Sequence, residues 1–267
     1  MTVSLHPVTD LVSLLDLEVV KPDAFLGVSP ANKWDRIYGG QVVAQALHAA
    51  GLTVAPEYRV HSLHAYFVRP GDETAPVLFE VERVRDGRSF CTRQVIAAQA
   101  GGAILNLIAS FQVEESGADV QRVEAPTGVP GPDAIQATKT DLFMDHRVIS
   151  TTRDPQPHEL SWMRVPEPLG DDPLIHACAL AYLSDEDLLG VALLPHPSGG
   201  DWDKMMAASV DHAVWFHRPA RADEWLLFSL SGHGVANARG LGIAQVFNQD
   251  GVHVATVAQE GLGRVRR

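Results

Sequence analysis

Gly39-Gly40-Gln41-Val42-Val43-Ala44-Gln45-Ala46-Leu47-His48-Ala49-Ala50-Gly51 is apolar almost all the way round a helical wheel. Its polar residues Gln41, Gln45 and His48 share one stripe. The pattern predicts a helix that stops at Gly51, a residue type favoured just past a helix C-terminus. Such a helix is buried rather than laid on a surface, so something must wrap it. The following segments can do so. Residues 61–68, 77–85, 89–98 and 103–113 read as short apolar-rich strands. Asp86-Gly87 and Ala100-Gly101-Gly102 separate the last three and suit hairpin turns. The first half is therefore expected to be one buried helix followed by an antiparallel meander, an α+β arrangement.

The pattern weakens after Glu114. Thr127-Gly128-Val129-Pro130-Gly131-Pro132-Asp133 suits a linker, and residues 154–167 are expected to hold at most edge strands. It then returns. Asp172 is a plausible N-cap with Pro173 at the first helical position, and Leu174 to Leu183 is again apolar on every side. Beyond a Gly/Pro-rich insertion at 195–200, strands are expected at 210–217, 224–230, 236–247 and 252–258, with a hairpin at Asp250-Gly251. The halves overlay. Arg69-Pro70 falls on Arg218-Pro219 at an offset of 149 (218 − 69), and Gln99 falls on Gln249 at 150 (249 − 99). A fixed offset signals internal duplication. The expectation is an N-terminal repeat over 1–115, a linker over 116–140 and a C-terminal repeat over 141–267. Each sheet would wrap its helix, and the two sheets would pair edge to edge.

The chain has 267 residues, 46% of them hydrophobic and 20% charged, which excludes a disordered or fibrous protein. With 21 Lys and Arg against 33 Asp and Glu, the net charge of −12 argues against a nucleic-acid binder, which must neutralise phosphates. No apolar run reaches the ~18–20 residues of a membrane span. Residues 1–6 lack the basic and apolar regions of a secretory signal. Cys91 and Cys178 make neither a disulfide framework nor a metal cluster. A cytoplasmic protein is expected.

There is no Gly-x-Ser-x-Gly elbow, Walker loop or dinucleotide fingerprint. The 12 histidines invite a metal, but the strand spacings considered oppose it. His61 and His64 face opposite sides, as do His212 and His217, and Asp211 and His217 would stand roughly 20 Å apart. No metal is expected there. Asp211 and Gln259 stand out differently: the carboxylate of the one and the carboxamide of the other are each present in only one copy. Asp211 overlies Ser62, and Gln259 overlies Ala109 or Ser110.

Several blocks in order resemble the acyl-CoA thioesterase II family of double hotdog thioesterases, from Leu11 to about Arg264. They are Tyr38-Gly39-Gly40-Gln41-Val42-Val43-Ala44-Gln45-Ala46-Leu47, His61 to Gly71, Asp86-Gly87-Arg88-Ser89-Phe90, Asp211-His212-Ala213-Val214-Trp215-Phe216-His217-Arg218-Pro219, Gln249-Asp250-Gly251 and Gln259-Glu260-Gly261. The resemblance implies two repeats of a long helix wrapped by a curved antiparallel sheet. It also implies hydrolysis of acyl-CoA to free fatty acid and CoA without cofactor or metal, and a homo-oligomer, dimer or tetramer. An Asp, a hydroxyl residue and a Gln would hold the attacking water. Asp211 and Gln259 match the first and last. The hydroxyl position falls on His233, so His233 takes over the contact, or Ser231 supplies it after a local shift, or the site is altered in activity. General-base catalysis by Asp211 contributes on the order of 10²–10⁴-fold. Gly40 and Gln41, at a helix N-terminus, are the candidate oxyanion donors. Arg69, Arg88, Arg218 and Arg239 could meet CoA phosphates, and none is assigned. The alternatives are an acyl-CoA binding protein without hydrolysis and a hotdog enoyl-CoA hydratase.

Overall fold

The structure, a computed structural model, describes residues 8–30, 36–138, 140 and 142–266. Residues 1–6, read above for a leader, and Lys139 of the expected linker lie outside the described residues. The chain divides into two compact units, Met1–Glu115 with Glu167–Tyr182, and Ser116–Pro166 with Leu183–Arg267.

In the first unit, α1 (Leu11–Leu15) leads into β1 (Glu18–Lys21), β2 (Ala24–Gly27) and α2 (Gly39–Gly51), followed by β3 (Tyr58–Phe67), β4 (Val77–Asp86), β5 (Phe90–Gln99) and β6 (Gly102–Val113). The strands pair antiparallel in the order β1-β2-β4-β5-β6-β3. The expected helix is present, but Gly51 is its last residue rather than the one beyond it. Leu52, in right-handed conformation, closes the end with its N–H on His48 O at 2.9 Å. α2 lies on the sheet, and Gln41 and Gln45 of its polar stripe are buried with it, while His48 is half-buried. Gln45, with 0% exposure, donates from Nε2 to Leu14 O at 2.9 Å and Val28 O at 3.0 Å. Gln41 Nε2 donates to Ser29 Oγ at 2.7 Å. A buried carboxamide must find such partners, so the stripe ties the helix to α1 and to the chain after β2. α3 (Pro173–Leu183) begins as its sequence predicts, with Asp172 Oδ1 accepting the Leu174 N–H at 2.9 Å.

The second unit holds β7 (Asp145–Thr152), β8 (His158–Arg164), α4 (Leu188–Leu193), β9 (Met205–Ser209), β10 (Asp211–Phe216), β11 (Leu226–Ala236), β12 (Arg239–Phe247) and β13 (His253–Val265). Its order is β7-β8-β11-β12-β13-β10, with β9 also on β13. The run β8-β11-β12-β13-β10 repeats β2-β4-β5-β6-β3, so the duplication read from the offsets is a duplication of sheet topology. One expectation is corrected. Residues 154–167 do not hold an edge strand at most, because β8 pairs with β7 on one side and β11 on the other. Both of its faces are used. Glu159, Ser161 and Met163 point one way, while Trp162 joins Trp225, Leu227 and Phe247 on the other and donates from Nε1 to Pro130 O at 2.9 Å. The Pro/Gly-rich stretch therefore packs against this outer face.

The element seated on β11, β12 and β13 is the short α4, which comes close because glycines face it. A Cβ on Gly232 would stand 2.5 Å from Val191 O, and one on Gly240 would collide with Ala192 O. Neither obstacle is a movable side-chain tip. Gly240→Ala is expected to destabilise the protein by ~1–3 kcal/mol, the usual cost of overpacking. An unchanged denaturant midpoint would show that α4 is free to lift.

Candidate active site

Register, more than composition, sets the second unit apart. In the first unit His64 pairs with Ile108 and Leu63 with Ala109. In the second Ala213 pairs with Ala258 at the equivalent place, so the next pair inward is His212 and Gln259. Gln259 thus corresponds to Ala109 rather than Ser110. A buried apolar pair in one copy is a buried polar pair in the other, and His212 and Gln259 each have 0% exposure.

That pair anchors a connected set of hydrogen bonds. His212 Nδ1 lies 3.1 Å from Gln259 Oε1, and its Nε2 lies 2.9 Å from Ser184 Oγ. Gln259 Nε2 donates to Asp185 Oδ1 at 3.0 Å and Ser209 Oγ at 2.6 Å. The partners fix the protons. A carboxamide oxygen only accepts, so His212 Nδ1 carries the hydrogen, and Nε2 of a neutral ring then accepts from Ser184. Burial, opposed by the Asp185 carboxylate, the Gln259 hydrogen bond and the Asp211 charge, pushes the His212 pKa below the ordinary imidazole value. The sign follows: a histidine with a lowered folded pKa contributes stability that is present above the unfolded value of 6.5 and is lost as pH falls below it. An NMR titration is expected to find the His212 midpoint below 6.5. A midpoint at or above that value would contradict the assigned tautomer.

Asp211 sits at a kink beside this set. Ser209 pairs with Gly261, whereas Ala213 pairs with Ala258, so Val210 and Asp211 both stand opposite Glu260. Such a bulge re-aims the side chains at it and is common beside active sites. Asp211 Oδ1 accepts the Glu260 N–H at 2.7 Å, and its other oxygen has no protein donor among the described residues. Asp211 is half-buried. The carboxylate in direct contact with Gln259 is instead Asp185, which sequence reading missed, as it missed the roles of His212, Ser184 and Ser209. Only the one-residue register shift between β9 and β10 brings Ser209 and His212 to the same amide.

The remaining candidates lie as follows. On β11 the residue in Gln259's row is Gly232, reached through Gly242. Ser231 and His233 flank it. His233 is the unpaired residue of a second bulge and is exposed. Neither gives a side chain to that row. Gln41 has its carboxamide committed to Ser29, and Gly40, in α2, has no room for a Cβ against Tyr182 O. Arg218 is bound by Asp119, and Arg239 by Glu260 at 2.9 Å. His217 Nε2 lies 2.9 Å from Thr256 Oγ1, away from the partner of Asp211.

Comparison with known proteins places this geometry. Residues 29–112 match the family model described as acyl-CoA thioesterase N-terminal domain, and residues 135–262 match that described as acyl-CoA thioesterase. Acyl-CoA thioesterase 2 of Haemophilus influenzae is 36% identical across 96% of this chain and 97% of its own. The chain belongs to the acyl-CoA thioesterase II family. Human acyl-coenzyme A thioesterase 8 is 36% identical to this thioesterase over 95% of it and 88% of the human protein. The crystal structure of acyl-CoA thioesterase II TesB2 from Mycobacterium marinum superposes with a TM-score of 0.85 at 40% identity, covering 96% of this chain and 98% of that one. The thioesterase is accordingly a double hotdog hydrolase acting on acyl-CoA thioesters. Among the described residues no helix is long and apolar enough to cross a membrane.

Proposed function

We propose that the chain releases fatty acids from fatty acyl-CoA by direct attack of a water on the thioester carbonyl, with no acyl-enzyme intermediate. Asp211 takes the proton of that water and Gln259 orients it. The observation that carries this reading is the replacement of the Leu63/Ala109 pair by His212 and Gln259 in the second unit only, next to a carboxylate with one oxygen uncommitted. A buried polar network is costly where an apolar pair already suffices in the duplicate, so its presence needs a reason beyond packing. Both Gln259 hydrogens are held by Asp185 and Ser209, which leaves a lone pair on Oε1 to accept from the water while His212 holds the other. His212 and Asp185 are positioning residues in this scheme. His233 is the third member at the solvent side. Because it is exposed and off Gln259's row, its contribution is smaller than that of the other two.

A water-activating site of this kind needs no metal or cofactor to cleave a thioester. A cytoplasmic location and self-association complete the proposal. Tyr66, Ile96 and Ile108 share the solvent face of β3, β5 and β6 and are 61%, 40% and 43% exposed, a patch suited to a second copy of the chain.

The test is thiol release from acyl-CoA esters of increasing length. CoA is expected to appear stoichiometrically with free acid, without a burst. Binding without thiol release would favour a carrier, and a burst of one CoA per chain would indicate an acyl-enzyme.

A further inference from the structure

Away from Asp211 and Gln259, the second unit buries a second set of ionisable groups. His146 on β7 is 3% exposed, and Glu159 on β8 is 8% exposed. Asp187, in the turn before α4, completes the set. One potential ligand atom from each, a ring nitrogen or a carboxylate oxygen, lies within 4.8 Å of the others. Their hydrogen bonding is incomplete. Among the described residues, neither ring nitrogen of His146 has a hydrogen-bond partner, and neither do Glu159 Oε1 and Asp187 Oδ2. His146 Nε2 and Asp187 Oδ2 approach to 2.7 Å, but not in a hydrogen-bonding direction. Ser161 lies between His146 and Glu159 on the same sheet face, and its buried Oγ is also unpartnered. Glu186 adds a third carboxylate to the field at His146. Buried polar atoms left without a hydrogen bond at this density are rare in protein interiors.

The surrounding chain holds these groups as ligands are held. Thr151 Oγ1 donates to Glu159 Oε2 at 2.7 Å, which fixes that carboxylate with Oε1 turned to the cluster. Asp187 stands at the N-cap of α4 yet makes no side-chain cap, so its carboxylate is diverted from the helix. We propose that His146, Glu159 and Asp187 bind one divalent transition-metal ion, zinc being the best match, with Ser161 or a water in the fourth position. The donor set decides the class. One imidazole nitrogen with two carboxylates suits zinc, manganese or cobalt, whereas calcium and magnesium take oxygen shells of six or more. Bonds of about 2.0–2.2 Å at tetrahedral angles separate two ligands on one ion by roughly 3.3–3.6 Å, so closure draws together atoms now within 4.8 Å of one another and spreads the 2.7 Å His146–Asp187 approach, shifts of about an ångström. The ion would tie β7 and β8 to the turn that also carries Asp185. Spacings within single strands do not reveal such a site, because these donors come from three separate elements.

Tag-free protein stripped with EDTA and moved to metal-free buffer is titrated with zinc sulfate, beside Glu159→Gln and Asp187→Asn. Both variants keep the shape of the residue, and Asn tolerates the left-handed backbone of Asp187 (φ 61°). The wild type is expected to take up about one zinc per chain. Its unfolding midpoint should rise by ~5 °C when zinc is ~100-fold above Kd. Each variant should bind at least tenfold more weakly, and if one fails to fold the other decides. The proposal is overturned if the wild type takes up no zinc, manganese or cobalt. It is equally overturned if variants and wild type bind alike, which would mean adventitious surface histidines.

Discussion

Asp211→Asn is expected to lower kcat for acyl-CoA hydrolysis by 10²- to 10⁴-fold, the usual contribution of a general base, with KM nearly unchanged. Asn keeps the size of the side chain, and its amide oxygen can still accept the Glu260 N–H that Asp211 Oδ1 now holds at 2.7 Å. The bulge at Val210 and Asp211 is then retained and the unfolding midpoint moves little. What is lost is the free oxygen, replaced by an NH₂ group that donates to a water instead of taking its proton. The structure supplies a sharp competitor. Asp185, not Asp211, touches Gln259 directly. In the proposed scheme Asp185 only orients the amide, a task that an Asn oxygen also performs, so Asp185→Asn should cost less than about tenfold. Steady-state thiol release from the two variants side by side decides between them. A severe defect in Asp185→Asn with near-normal Asp211→Asn would move the base to Asp185.

How the site came to be half visible in the sequence has a physical basis. Asp211 and Gln259 are the part of the candidate site that the sequence offers, because duplication supplies an internal control: a carboxylate against Ser62 and a carboxamide against Ala109 are conspicuous. Their companions are not. His212 looks like any strand histidine until pairing sets it opposite Gln259. Asp185 and Ser209 reach the same amide only through a turn and a register shift that leave no local pattern. The fold divides similarly. β3 to β6 and β10 to β13 announce themselves through apolar strands and Gly-containing turns. β8 does not: Glu159-Leu160-Ser161-Trp162 alternates, but its polar members lie on a buried face, and Pro155, Pro157 and Pro166 flank it. β1 is exposed along its whole length, and nothing in its four residues signals burial. Edge strands of this kind are held by backbone pairing alone, which composition does not record.

The polar pair itself allows a decisive separation of packing from chemistry. Gln259→Ala leaves His212 Nδ1–H buried without an acceptor, at a cost of roughly 1–3 kcal/mol beyond the lost side-chain packing. His212→Leu likewise strands Gln259 Oε1. The double variant His212→Leu/Gln259→Ala reproduces the Leu63/Ala109 pair that the first unit already tolerates at the equivalent place. Asp185 and Ser209 are only partly buried and can turn to water. The double variant should therefore be more stable than the sum of the single losses predicts, with a favourable coupling of ~1–3 kcal/mol in a double-mutant cycle. Catalysis should behave in the opposite way. Gln259→Ala and the double variant should both lose at least a hundredfold in kcat, because restoring an apolar pair does not restore a group that orients water. Denaturant midpoints and thiol release measured on the same four proteins separate the outcomes. If activity recovers with stability in the double variant, the polar pair is a packing device and the water-holding role of Gln259 is lost. If stability recovers while activity does not, the second copy has given up a serviceable apolar pair for the sake of the reaction.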